Sequence, residues 1–126
     1  MGERIYSVRG AVQLSEDTAE LMSIGVCELV EGILTKNSVP EANIIHVLFT
    51  QTLDLTNENP ARALRKGGGF SHTPLFCSSE PEYPDSLPRT VRVLVSYYHR
   101  ESHVPRPLYL HGAELLRLDL GTTKSR

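Results

Sequence analysis

The sequence has no tryptophan, two cysteines and an aromatic content of only 6%. It has no excess of positive charge, with 13 Lys and Arg against 15 Asp and Glu and a net charge of −2. Each shortage excludes something. Without a basic excess, a nucleic-acid partner has no electrostatic support. No apolar run approaches the roughly 20 residues that span a bilayer, so no membrane association is expected. The N-terminus has no basic start followed by an apolar run, hence no expected secretory signal. Cys27 and Cys77 are then read as reduced thiols of a cytoplasmic protein. The five histidines are scattered and form no ligand spacing with the cysteines, so no metal is expected. Among the three consecutive glycines, Gly67 to Gly69, no Gly-Lys-Ser/Thr follows, which removes a phosphate loop.

What is present is an ordinary single-domain chain of 126 residues with 40% hydrophobic content. The clearest strand runs from Pro88 to Tyr98. Val91, Val93 and Val95 take one face, and Arg92, Leu94 and Ser96 the other. Arg92 is thus a charge in mid-strand, either one end of a structural ion pair or a fixed cation lining a pocket. Arg4 to Val12 reads as a first strand, with Arg9 beside Gly10, a residue that admits close approach of a backbone or ligand. Ser15 to Thr18 starts a long helix to about Thr35, with Asp17 and Glu20 resembling a capping box. Met22, Val26, Leu29, Val30 and Ile33 recur along its apolar face. Asn43 to Thr52 is a nearly continuous apolar strand, expected to be covered on both faces.

Asn59 and Pro60 cap and open a short helix to Lys66, which places Arg62 and Arg65 on one face. His72 to Ser78 is extended, and Glu80 stands where it gives way to loop. His99 to Pro107 reads as loop. Leu108 to Arg117 reads as a last strand broken or bulged near Gly112, and residues 118–126 as a mobile tail. The order predicts an α+β domain spanning residues 1–126, with a mixed sheet and both helices on one face.

Arg9, Arg62, Arg65, Arg92 and Arg117 fall near strand ends or on the short helix, and Glu80 is the one carboxylate placed to join them. No nucleophile has a partnered base. Such a set suits binding and polarising a small polycarboxylate. The residues alone leave open a catalyst of that kind, a non-catalytic module that binds a small carboxylate, or an imine or enamine hydrolase. The last requires an activated water, for which Glu80 is the only candidate base.

Several motifs in order resemble the monofunctional, trimeric chorismate mutases of the AroH class. They are Val8-Arg9-Gly10-Ala11 followed by Glu16-Asp17-Thr18; Asp54-Leu55; Pro60-Ala61-Arg62-Ala63 with Arg65; Cys77-Ser78-Ser79-Glu80; Arg92-Val93; Tyr109-Leu110; and Leu116-Arg117 with Asp119-Leu120. The resemblance implies a homotrimer around a central pseudo-α/β-barrel, with active sites between subunits. It implies cofactor-free rearrangement of chorismate to prephenate in phenylalanine and tyrosine synthesis. By the same resemblance Arg92, Glu80 and Arg9 are catalytic. Tyr109, Cys77, Phe76, Leu75 and Ala61 contact substrate, and Arg62, Arg65 and Arg117 form a rim that captures it. The chain departs from the family's usual pattern at Asn59 (commonly aromatic), Arg62 (commonly lysine), Phe76 (commonly small and polar), Leu118 (commonly proline) and the 99–107 loop.

Overall fold

Alternation and capping account for most of the architecture. The computed structural model describes residues 2–117, so the expected tail from Leu118 onward lies outside the described residues. Five strands are found: β1 (Glu3–Gln13), β2 (Ile44–Gln51), β3 (Leu75–Ser79), β4 (Thr90–Arg100) and β5 (Leu108–Leu110). They form one mixed sheet in the order β3-β2-β4-β1-β5. β4 pairs antiparallel with β1 and β2, while β3 and β5 add parallel at the two edges.

Two helices, α1 (Ala19–Asn37) and α2 (Pro60–Lys66), cover one face of the sheet. The expected α+β architecture is therefore observed. On that face Val8, Val12, Val47, Phe49, Val91, Val93, Val95 and Tyr97 meet Met22, Val26, Leu29, Val30 and Ile33. Leu29, Val30 and Ile33 are fully buried, and each contributes about 1.5–3 kcal/mol through the water it excludes. Gly10 makes the packing possible: a Cβ there would lie 2.7 Å from the Leu108 carbonyl oxygen and 2.8 Å from Ile33 Cδ1. The approach that Gly10 admits is thus that of β5 and α1.

Among the described residues, the opposite face carries no helix. β2 is accordingly covered on one side only, against expectation: Val47 and Phe49 are buried, but Leu48 is exposed. Ile5, Tyr98 and Phe76 are exposed as well.

The structure corrects three further local readings. Thr18, not Asp17, caps α1: its side chain accepts from the Leu21 N–H. The Asp17 carboxylate instead accepts from Thr56 and Asn57, fixing the loop after β2, and these hydrogen bonds, led by the Thr56 N–H, lower its pKa. β4 continues through His99 and Arg100 because β1 pairs with it that far. Finally, the chain after β5 does not bulge. It turns at His111 and Gly112, both with positive φ, into a 3-10 turn at Ala113–Arg117.

Candidate active site

The register of the sheet decides which polar side chains meet. Arg92 on β4 lies opposite Ala11 on one side and Thr50 on the other. The same row continues to Tyr109 on β5 and Ser78 on β3. All of these stand on the face without helices. Arg9, opposite Leu94, is a diagonal neighbour of Arg92, a separation that long side chains bridge. A cleft of about 70 Å³ forms between Arg9, Gly10, Arg92, Val93, Tyr109 and Leu116.

Glu80 completes this cluster from the end of β3. Its N–H donates to the Gln51 carbonyl at 2.8 Å, which continues the β2–β3 pairing by one residue. The Thr50 hydroxyl donates to Glu80 Oε1. The other oxygen, Oε2, lies 3.7 Å from Arg92 Nε. Arg92 is thus both half of an ion pair and a half-exposed cation at a cleft. Arg9 and Arg92 against the single Glu80 carboxylate leave this cluster with net positive charge, which favours an anion.

A second group lies elsewhere. Asn59 caps α2 by accepting from the Arg62 N–H at 2.8 Å, and Pro60 opens it. Ala61, Arg62, Arg65 and Leu75, with Asn59 and Lys66, line an open groove of about 520 Å³. Arg65 donates to the Thr73 carbonyl at 2.9 Å. Buried Glu58 holds Arg62 at 2.8 Å and Lys66 at 3.3 Å. Burial raises the Glu58 pKa, but bonds from the Asn59 N–H, Arg62 and Lys66 outweigh it, and the net shift is downward.

Cys77 stands opposite Phe49, on the helix-covered face. Its Sγ lies 3.1 Å from Gln51 Oε1, and burial raises its pKa, so the thiol stays protonated. Cys27 and Cys77 are both free. Phe76 points to the open face and is 69% exposed. Arg117 closes the final turn at the end of the described residues.

One chain therefore brings together Arg9, Glu80, Arg92 and Tyr109, and separately Ala61, Arg62, Arg65 and Leu75. Leu75 and Glu80 stand at opposite ends of β3, roughly 17 Å apart along the strand, and the two groups face opposite sides of the sheet. Sequence reasoning missed Thr50, which grips Glu80, and Glu58, which anchors Arg62 and Lys66. Alternation puts Thr50 on a face, but only the strand register shows that the face is Arg92's.

The chain is similar to known proteins along most of its length. Residues 5–120 match the family described as chorismate mutase type I. The chain is 36% identical over 121 residues to the chorismate mutase AroH of Thermus thermophilus, covering 92% of this chain and 96% of that one. It is 30% identical over 125 residues to the chorismate mutase AroH of Bacillus subtilis, covering 96% of each. A solved chorismate mutase from Clostridium thermocellum superposes with a TM-score of 0.80 at 31% identity, covering 87% of this chain and 98% of that one.

Proposed function

The chain belongs to the type I chorismate mutase family, and from this we propose that it is an isomerase converting chorismate to prephenate in aromatic amino acid biosynthesis. The observation that carries the reading is Arg92, half-exposed on the open sheet face, with Glu80 at 3.7 Å and Arg9 diagonal to it.

The rearrangement breaks one C–O bond and forms one C–C bond within a single molecule. It transfers no proton and requires no cofactor. Negative charge grows on the ether oxygen as the C–O bond lengthens. A guanidinium fixed by its own carboxylate partner needs little reorganisation to meet that charge. Removing a pre-oriented donor of this kind costs about 3–4 kcal/mol. In this reading Arg9 and Tyr109 hold a substrate carboxylate and restrict the chain to its reactive conformer. Glu80 accepts from the ring hydroxyl. Its oxygens engage Thr50 and Arg92, which suits a fixed acceptor better than a base activating water. Cys77 serves as a neutral wall group behind the strand, not as a nucleophile.

We further propose a homotrimer with its sites between subunits. The cleft beside Arg92 holds about 70 Å³, against roughly 300–1,000 Å³ for a typical ligand pocket. It has room for a carboxylate but not for the ring. The groove formed by Ala61, Arg62, Arg65 and Leu75 would supply the missing wall from a neighbouring chain, with Arg117 at the rim. The exposed Ile5, Leu48, Phe76 and Tyr98 would be covered in the same assembly. A cytoplasmic setting belongs to this reading.

The test is the loss of chorismate's diene absorbance on adding purified protein, with Arg92→Ala as control. Wild-type turnover, reduced in the variant by roughly 10²–10³-fold, is expected. Undiminished turnover in the variant would remove Arg92 from the mechanism. Binding of chorismate without turnover would favour a carboxylate-binding module. Light scattering should give the mass of three chains.

A further inference from the structure

A second cationic cavity, of about 240 Å³, opens at the other end of β4. It lies seven residues along the strand from Arg92, roughly 24 Å away. Three segments build it. The end of α1 supplies Lys36, β4 supplies His99 and Arg100, and the following turn supplies His103 and Arg106. No acidic residue among the described residues lines it. The nearby carboxylate of Glu101 is engaged by Arg4 at 3.0 Å.

These groups are held in place. Asn37, itself buried, accepts from the Arg106 N–H at 2.8 Å and donates to the Arg106 carbonyl at 3.0 Å, which pins the turn to α1. Lys36 Nζ donates to the Pro107 carbonyl at 2.9 Å, which leaves two N–H groups. Arg100 Nε donates to Ser102 Oγ at 3.2 Å. His103 stacks on His99 with ring centroids 3.9 Å apart and meets the Tyr97 hydroxyl at 2.6 Å. The cost of this crowding is visible: desolvation first, then the charges of His99, Arg100 and Arg106, lower the His103 pKa. Such mutual repulsion is relieved by an anion seated among the cations.

We propose that this cavity binds a small dianionic oxyanion, either inorganic phosphate or the phosphate of a small ester. A tetrahedral dianion offers oxygens in several directions, matching cations that arrive from three segments. A planar carboxylate would meet only one or two of them. The volume admits a phosphate with a short substituent and falls below that of a pocket for a larger ligand. An imidazolium at His103 can donate Nε2–H to the Tyr97 oxygen and offer Nδ1–H to the ligand. The anion and the His103 proton then favour one another's binding.

The experiment follows the histidine ring resonances of the intact protein during titration with inorganic phosphate, and separately with glycerol phosphate. Millimolar phosphate should move the His99 and His103 signals and raise the apparent pKa of His103. The double variant Arg100→Gln, Arg106→Gln should bind about tenfold more weakly or worse. Arg92→Ala should bind as the wild type does, which separates this cavity from the cleft beside Arg92. A response to glycerol phosphate alone would identify an ester site; a response to both would identify a site for the phosphate itself. Unmoved signals with either ligand, or an equal response in the double variant, would overturn the proposal.

Discussion

Replacing Thr50 by valine isolates the orientation of Glu80 from its charge. Valine keeps the β-branch and nearly the volume, so the strand and its pairing with Arg92 remain. Only the hydroxyl that donates to Glu80 Oε1 is lost. A hydrogen bond to a charged acceptor is worth about 1.5–3 kcal/mol. Glu80 is 20% exposed, so water replaces part of that, and about 1–2 kcal/mol remains at stake. The Gln51 carbonyl still anchors the Glu80 backbone, so the carboxylate gains freedom without leaving the site. If Glu80 accepts from the substrate's ring hydroxyl, kcat/KM falls by roughly 5- to 30-fold. The assay is chorismate turnover across substrate concentrations, alongside a urea unfolding midpoint, for Thr50→Val and Thr50→Ser. Serine restores the donor and should recover most of the rate. Full activity in Thr50→Val, or an equal loss in Thr50→Ser, would refute the role given to Thr50.

Asn59→Ala should cost about 1 kcal/mol of stability by uncapping α2. It should also raise KM, because Arg62 and Arg65 ride on that helix; an unchanged KM would detach α2 from substrate capture. Acid should loosen the region between β2 and α2, since Glu58 and Asp17 both have lowered pKa values. A carboxylate with a depressed pKa contributes stability above its ordinary value, and that contribution is lost as pH falls through the depressed one. Urea midpoints should therefore fall between about pH 5 and 3, and more shallowly in Glu58→Gln. An unchanged slope in that variant would place the acid sensitivity elsewhere.

What was legible in the sequence was what local chemistry decides. Alternation in the valines of β4, the helical spacing from Met22 to Ile33, and the Asn59-Pro60 cap each identified an element. What was not legible depends on which strand lies beside which. Thr50 and Arg92 are distant in sequence and become partners only through the antiparallel register. The same holds for Asp17: its spacing to Glu20 suggested a cap, but the loop at Thr56 and Asn57 offers its carboxylate more donors. Cys77 and Phe76 are adjacent and differ in face, so a motif containing both could not say which reaches the open side. His99 and Arg100 looked like loop because their polarity reflects a cavity wall rather than the backbone pairing beneath it.

The central position of β4 has a consequence for synthesis. β1 leaves the ribosome first, yet its partner along its whole length is complete only once Arg100 has been made. β2 waits for the same strand from its other side. Until then both present unpaired backbone edges, the feature by which sheets recruit foreign strands. Insertion of β4 closes both edges in one event and brings Arg92 between Ala11 and Thr50. Sequence separation of this kind slows folding. The nascent chain therefore carries an unfinished sheet until β4 emerges, and mutations that weaken β4 should reduce yield in the cell more than they lower the stability of the finished protein.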